Sequence, residues 1–408
     1  MLLNHLSAVL LGITTFSYAQ QLPLREAREQ EDGPVLSAAS SRDLLSLHRE
    51  LVSFDSITGN EYEAGQALVD YLESKHFTVE RQEVSHKRFN VIAYTGKNKY
   101  TKTLLTSHID TVPPFIPYSR HDSTHSHPAR ITGRGTVDAK ACVAAQIIAV
   151  RNLLSDKSLA HSLPADALSL LFVVGEETGG DGMRTFSESL AKSGHNYTTV
   201  IFGEPTEGKL ASGHKGNLGF RVKVQGKAAH SGYPWLGVSA NDVLIEALAI
   251  LRKMADEGRL PSSEKYGNTT LNIGTVEGGV AANVVAEAAE ANIAVRVAGG
   301  TPADSKKAIE NALADLKKAA EEKGGSLEVV WGSEGYGPVD IDCDVKGFEC
   351  ITVNYGTDIP NLKGSHKRYL YGPGSILVAH GPNEGLEVRE LERAVIDYEK
   401  LIKASLGM

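Results

Sequence analysis

Cysteine is scarce in this 408-residue chain, and the chain has neither an excess of positive charge nor long apolar runs beyond its N-terminus. Its three cysteines are too few for a scaffold held by disulfides and lack the paired spacing of a cysteine zinc site. The formal net charge of −8 gives no basis for binding nucleic acid or an anionic membrane. No later run of eighteen apolar residues occurs, so we expect no membrane-spanning helix.

The composition is that of a folded protein, because 41% of the residues are hydrophobic and the length suits two or three domains. In the first half, short apolar runs alternate with helical patterns. TLLTSHID (103–110), LSLLFVVGEE (168–177) and TTVIFGEP (198–205) are predicted strands, and DAKACVAAQIIAVRNLL (138–154) is a predicted helix. Short apolar strands separated by helices indicate a mostly parallel, buried sheet.

The pattern changes near Gly213. From there the predicted order is strand, helix, two strands, helix and strand, which is the split βαβ arrangement of a ferredoxin-like domain. We therefore predict an α/β fold in which a large, mostly parallel-sheet domain is built from residues 20–213 and 333–408. A smaller ferredoxin-like α+β domain, residues 214–332, is inserted into it and is called the inserted domain below.

Several features suggest secretion. Residues 1–19 have a short apolar core that ends in small residues before Gln20, as in a secretory signal peptide. Asn196 and Asn268 begin glycosylation sequons. Cys343 and Cys350 lie seven residues apart and can close a small disulfide loop in an oxidising compartment. We expect an extracellular protein.

Side chains able to bind metal follow the predicted strands of the large domain. They are His108, Asp110, Glu176, Glu177, Glu204 and His380, and Asp138 stands at the start of the long helix. Strand carboxyl ends share one edge of a parallel sheet, so these residues can converge. Histidine and carboxylate without thiolate suit Zn²⁺ or a similar divalent ion, and several carboxylates with two histidines suggest two ions sharing a bridging carboxylate.

Each of these residues also has a purely structural explanation. A histidine after a strand often finds a backbone partner in the core, and Asp138 alone is a helix N-cap. The adjacent Glu176 and Glu177 would point to opposite faces if the strand continued through them, and so would have different roles. Their joint occurrence at one sheet edge favours a metal site.

Six motifs in this order, SHIDTVP, GRGTVDAK, GEETGG, FGEPT, GKAAHSG and AHGPNE, resemble the M20 family of co-catalytic zinc metallopeptidases and deacylases. The resemblance extends from about Leu44 to the C-terminus. It implies two zinc ions, with other divalent metals as alternatives. The implied ligands are His108 and Glu204 for one ion, Glu177 and His380 for the other, and Asp138 as the bridge.

The resemblance also implies roles for residues that do not bind metal. Glu176 would be the general base, and Asp110 would orient His108. His230, in the inserted domain, would stabilise the developing oxyanion. Asn283 and Arg296 would hold the carboxylate of the substrate.

The leading prediction is a secreted zinc carboxypeptidase that cleaves near a free carboxylate. An N-acyl-amino-acid amidohydrolase and an aminopeptidase are alternatives on the same metal site. A non-enzymatic binding protein is disfavoured, because a binder has no need of Glu176 as a base. The expected partners are a peptide or N-acyl amino acid and, through the inserted domain, a second copy of the chain. In some relatives the histidine of the inserted domain acts from the partner subunit, and the sequence leaves that choice open.

Overall fold

The computed structural model describes residues 35–124, 127–159, 163–164 and 166–408. The predicted signal peptide, residues 1–19, lies outside the described residues. The described α-helices are α1 (Ala38–Ser53), α2 (Tyr62–Ser74), α3 (Lys140–Ser155), α4 (Asp181–Ser193), α5 (Ala240–Asp256), α6 (Pro302–Glu322) and α7 (Val388–Leu406). Among these residues, no helix is both long and apolar enough to cross a membrane.

The described strands are β1 (Thr78–Ser85), β2 (Arg88–Tyr94), β3 (Thr103–His108), β4 (Ser119–His121), β5 (Arg130–Thr132), β6 (Leu168–Val173), β7 (Thr199–Gly203), β8 (Leu210–His214), β9 (Gly216–Gln225), β10 (Ser262–Ser263), β11 (Gly267–Asn268), β12 (Thr270–Gly278), β13 (Ala288–Val297), β14 (Ser326–Trp331), β15 (Val339–Asp340), β16 (Cys350–Val353), β17 (Lys367–Tyr371) and β18 (Gly385–Glu387).

The large domain is built on a six-stranded sheet with the order β1-β2-β6-β3-β7-β17. The four strands from β6 to β17 run parallel, whereas β2 is antiparallel to both of its neighbours. Every residue of β3, β6 and β7 is buried. Successive residues of β6 belong to different cores: Leu170 packs in the core that includes α1, α3 and α7, and Leu171 packs in the core that includes α4. The predicted mostly parallel, doubly covered sheet is confirmed.

The inserted domain is a separate four-stranded antiparallel sheet with the order β12-β13-β9-β14. Its strand β9 alternates buried and less buried residues, which is the pattern of a sheet covered on one face. Leu244 of α5 and Leu313 of α6 pack with Val222 of β9 in a core of their own. The elements follow one another in the predicted βαββαβ order.

The prediction of a strand immediately before His380 is wrong. Residues 376–380 form turns, and Leu377 is 81% exposed. The edge position of the sheet beside β7 is already taken by β17, and Gly372, Pro373 and Gly374 then interrupt the extended chain. An apolar run was therefore mistaken for a buried strand.

A disulfide joins Cys343 and Cys350, whose Cα atoms are 6.0 Å apart. Cys142 is a free, buried cysteine in α3. The disulfide links a loop residue to the first residue of β16, so it ties the short sheet β15-β8-β16 to the preceding chain.

Candidate metal centre

The candidate ligands gather at the carboxyl edge of the large sheet. His108 is the last residue of β3, and Glu204 follows β7 directly. Asp138 precedes α3, whose N-cap position is held by Ala139 without a side-chain hydrogen bond, so Asp138 is free of the capping role. His380 enters from the turns that follow β17.

Glu176 and Glu177 do not lie on a strand, so the reason given above for their separate roles is wrong. β6 ends at Val173, Gly175 adopts a left-handed turn with φ +76°, and Glu176–Thr178 form a 3₁₀-helix. Consecutive residues of a 3₁₀-helix lie about 120° apart around its axis, because it has three residues per turn. The two carboxylates still diverge, but through a helical turn.

His108 lies against two carboxylates. Its Nε2 is 3.1 Å from Oδ1 of Asp138 and 3.7 Å from Oε1 of Glu204. Its Nδ1 is 3.0 Å from the backbone oxygen of Asp110. A carbonyl oxygen only accepts, so Nδ1 donates the proton there and Nε2 keeps a lone pair for a metal.

His380 completes a second group on the other side of Asp138. Its Nε2 is 3.3 Å from Oδ2 of Asp138 and 3.1 Å from Oε2 of Glu177. The two oxygens of Asp138 therefore face one imidazole each, which is the position of a bridging ligand. Oε1 of Glu177 is buried and has no hydrogen-bond partner among the described residues, so it is available to a cation.

The donor set fits zinc. Ligand atoms of a tetrahedral zinc ion with bonds of about 2.0–2.1 Å lie about 3.3 Å from one another. The donor atoms around His108 and His380 are separated by 3.1–3.7 Å. Imidazole and carboxylate ligands without thiolate are those of many zinc sites, and they also suit other divalent ions.

The pKa values of the site residues also favour a bound cation. Burial opposes charge on His108, but the surrounding carboxylates, Glu204 first, outweigh it and raise the pKa of His108 well above its ordinary value. Hydrogen bonds to Asp138 and Glu177 raise the pKa of His380 to about 10. Burial, opposed by His108, raises the pKa of Glu204 to about 8. A buried carboxyl such as Glu204 that resists ionisation would be stabilised in its charged form by a neighbouring cation.

Asp110 organises the loops around His108. It is fully buried, accepts a hydrogen bond from the Thr58 hydroxyl at 2.7 Å, and accepts the backbone N–H groups of Glu176 and Glu177 at 3.1 and 3.2 Å. Its Oδ1 lies 3.5 Å from Nδ1 of His108. One carboxylate thus holds both the imidazole and the loop that carries the two glutamates.

Comparison with known proteins agrees with this geometry. A family model described as a peptidase dimerisation domain of the M20 type matches residues 212–324. The chain is 50% identical over 402 residues to a probable carboxypeptidase of Arthroderma otae, covering 89% of this chain and 86% of that protein. It is 49% identical over 414 residues to a probable carboxypeptidase of Aspergillus clavatus, covering 96% of each. The chain belongs to the M20 peptidase family.

Solved structures share the fold of this M20 peptidase. A tripeptidase from Staphylococcus aureus superposes with a TM-score of 0.71 at 23% identity, covering 90% of this chain and 99% of that one. An M20 family metallo-carboxypeptidase from Sulfolobus solfataricus superposes with a TM-score of 0.65 at 17% identity, covering 90% and 100%. At these identities the likeness concerns the fold alone.

Sequence reasoning missed the support beneath Asp138. Glu384 and Arg134 form a fully buried ion pair, with Nη1 of Arg134 2.6 Å from Oε2 of Glu384. The other oxygen of Glu384 accepts the backbone N–H groups of Val137 and Asp138 at 3.1 and 3.2 Å. Arg134 belongs to the motif GRGTVDAK and Glu384 to the motif AHGPNE. Their opposite charges within two motifs of the site were the one indication in the sequence that the two residues pair.

The inserted domain does not bring its three predicted residues together. His230 is exposed and lies beside the loop of Asn283, since Val284 pairs with His230 and Ser231 donates its N–H to the backbone oxygen of Asn283. Arg296 is at the opposite end of the same sheet. Strand β13 pairs Ala288 with Gln225 at one end and Arg296 with Asn217 at the other.

Eight extended residues separate those two ends by about 27 Å. The expectation that Asn283 and Arg296 hold one substrate carboxylate is therefore not met within a single chain. Arg296 lies beside Tyr336, since a Cβ at Gly356 would lie 3.3 Å from Nη1 of Arg296 and closer still to the Tyr336 hydroxyl. Burial first, and then the charge of Glu176, raise the pKa of Tyr336, so the end of the sheet that carries Arg296 is the one on the side of Glu176.

Proposed function

We propose that this M20 peptidase is a secreted carboxypeptidase that works with two zinc ions. The observation that carries the proposal is the position of Asp138 between His108 and His380, with Glu176 beside the ligands. His108 and Glu204 would hold one ion, Glu177 and His380 the other, and Asp138 both. When bound, the ions supply Lewis-acid activation of the attacking water and of the scissile carbonyl.

Glu176 is the group of this chain that moves the proton. One of its carboxylate oxygens lies within 4.8 Å of the donor atoms of His108 and Glu204. It takes a proton from the attacking water and delivers that proton to the nitrogen of the departing amine. A base placed in this way contributes about 10²–10⁴ in rate.

Arg296 is the group that selects a free carboxylate. Its guanidinium lies beside Gly356 and Tyr336 on the side of the metal centre, where it can bind a carboxylate in two hydrogen bonds. A peptide C-terminus and an N-acyl amino acid both present that group. The carboxypeptidase is favoured because relatives about half identical over nearly the whole chain carry that name.

The histidine of the inserted domain would act from a second copy of the chain. β9 and β13 are paired along their full length, so the inserted sheet moves as a unit. If the inserted domain rotates so that Arg296 stays beside the metal centre, His230 stays at the other end of the sheet, about 27 Å from Arg296. His230 is suited to an oxyanion: its Nδ1 accepts the N–H of Gly232, so the neutral ring carries its proton on Nε2 as a donor.

The homodimer has support from two observations. The matched family model is a dimerisation domain, and it covers the inserted sheet. Within the described part of the chain, β12 is an edge strand of that sheet with mostly exposed residues, so its outer backbone groups can pair with a second chain. Two observations are consistent with secretion: Asn196 and Asn268 are exposed, as glycosylation requires, and Cys343 and Cys350 form a disulfide.

A mixed substrate panel tests the reaction. N-blocked peptides, free-amine dipeptides and N-acetyl amino acids would be incubated with zinc-loaded protein, with and without a chelator, and the products identified by mass spectrometry. We expect chelator-sensitive release of single C-terminal residues from blocked peptides. Turnover of acetyl amino acids alone would identify a deacylase instead, cleavage confined to free amines an aminopeptidase, and no turnover a binding protein.

Mixing two inactive variants tests the shared site. Glu176→Gln and His230→Ala would each be inactive, and co-refolded or co-expressed mixtures should recover about one quarter of the parental rate if His230 acts across a two-fold interface. Glu176→Gln mixed with Glu177→Ala is the control, since both changes damage the large domain and no mixed dimer has an intact site. Recovery in the control, or none in the test mixture, would contradict action across the interface.

A further inference from the structure

A small cavity lies beneath the metal centre, on the inner side of His108. Its volume is about 10 Å³, which is room for one water molecule. Thr106, Glu176, Glu204 and Asp358 supply polar walls. His108 and Glu204, the proposed ligands of one ion, also line the cavity, whereas Asp138, Glu177 and His380 do not, so the cavity does not extend to the bridging carboxylate or to the ligands of the other ion.

Two buried polar atoms in its wall have no hydrogen-bond partner within the described part of the chain. They are Oγ1 of Thr106, in a residue 1% exposed, and Oδ2 of Asp358, in a residue 5% exposed. Buried polar atoms are nearly always satisfied by protein or by ordered water. Both residues line one water-sized space, so one molecule there can satisfy both atoms.

Asp358 is held so that it cannot turn elsewhere for a partner. Its Oδ1 accepts a hydrogen bond from Nδ2 of Asn361 at 2.8 Å. The same oxygen is packed against Gly180, where a Cβ would lie only 2.7 Å from it. Thr106 is similarly fixed by β3, on which it lies two residues before His108 and therefore on the same face.

We propose that this cavity binds a water molecule that fixes the carboxylate of Glu176, which makes Thr106 and Asp358 positioning residues for the base. The hydrogen bonds balance: the Thr106 hydroxyl donates to the water, and the two protons of the water go to Oδ2 of Asp358 and to Glu176. No covalent bond forms or breaks. The inference rests on the proposed role of Glu176.

The rest of the cavity explains why a single water stays in place. Val173, Met183 and Phe202 form apolar walls, so the polar atoms define one position for the molecule. Glu176 follows a turn and is only half-buried, so its own backbone does not determine the direction of its carboxylate. A displacement of about 1 Å of a catalytic group can cost about 10²-fold in rate.

Thr106 offers a matched pair of substitutions. Thr106→Val removes the hydroxyl and keeps the shape, whereas Thr106→Ser keeps the hydroxyl. Ser305→Ala is the control, because Ser305 is another buried hydroxyl without a partner within the described chain, but it belongs to α6 of the inserted domain. Steady-state kinetics, metal content and high-resolution crystal structures would be measured on the purified, zinc-loaded full chain.

We expect Thr106→Val to lower kcat about 10- to 100-fold while KM and metal content stay within twofold of the parent. Thr106→Ser and Ser305→Ala should leave all three within twofold. The crystal structure of the parent should show one water within hydrogen-bond distance of Thr106, Asp358 and Glu176, and that of Thr106→Val should lack it. If Thr106→Val does not fold, Asp358→Asn replaces it, since the amide donates where the carboxylate accepts.

Two results would overturn the inference: a parental crystal structure with no water, or with a metal ion, in the cavity, or a Thr106→Val kcat within twofold of the parent. These are distinguishable from failure of the proposed function. An inactive parent with the water in place would refute the peptidase assignment and keep the water site.

Discussion

Glu384 should be essential to both the stability and the metal affinity of this peptidase. Its side chain is fully buried and joins the 2% exposed Arg134 to the backbone N–H groups of Val137 and Asp138. Glu384→Gln keeps the volume and an oxygen for those N–H groups but leaves the charge of Arg134 unpaired. Removing one partner of a buried ion pair costs about 3–5 kcal/mol.

Glu384→Ala should cost more, because each orphaned N–H adds about 1–3 kcal/mol. The sum is a large part of the total of about 5–15 kcal/mol that stabilises a typical fold. Because Asp138 would lose its backbone anchor in Glu384→Ala, we also expect zinc affinity to fall about 10- to 100-fold in the alanine variant. Urea unfolding followed by far-ultraviolet circular dichroism measures the first quantity, and competition with a zinc chelator measures the second.

Two controls make that experiment decisive. Glu322→Gln removes an exposed partner of Lys318 in α6, with side chains 67% and 78% exposed, and should cost less than about 1 kcal/mol. Adding Arg134→Met to Glu384→Gln should recover part of the lost stability, since it removes the unpaired charge. If Glu384→Gln costs no more than the surface control, the reasoning about this buried pair is refuted.

Three further predictions follow from single features. His380→Ala should reduce the bound metal from two ions per chain towards one, because only Glu177 and the shared Asp138 would remain for the second ion, and elemental analysis checks this. Burial lowers the pKa of His48 to about 4, against about 6.5 in the unfolded chain, so its contribution to stability is complete above pH 6.5 and about 3 kcal/mol is lost as the pH falls to 4. His48→Gln should flatten that dependence in urea titrations at pH 6.5 and 4.5; an unchanged slope would show that other groups dominate. Asn196→Gln and Asn268→Gln should each remove one glycan mass from protein secreted by a eukaryotic host, and an unchanged mass would mean that the sequon is unused.

The sequence predicted those parts of the molecule that depend on local pattern. The short apolar run of β6 and the longer, alanine-rich apolar run of α3 can be read in the chain itself. The turn that carries His380 was misread because the five residues Ser375–Ala379 are largely apolar, and only the three-dimensional sheet shows that β17 already fills the edge.

Long-range pairing could not be predicted from one chain. Glu384 and Arg134 are 250 residues apart, and nothing local to either residue states that they meet. The same holds for Asp358, which reaches the cavity beneath His108 from a distant loop. The separation of Asn283 and Arg296, by contrast, follows from the chain itself, because Asn283 precedes β13, Arg296 lies near its end, and the strand is extended between them.

The central claim is that metal binding and proton transfer are divided between neighbouring glutamates. The most direct test is the metal content and kcat of Glu176→Gln compared with the parent, on blocked peptides. The account predicts two bound ions per chain in both proteins and a kcat lower by about 10²–10⁴ in the variant. Loss of metal from Glu176→Gln, or a kcat equal to that of the parent, would contradict it.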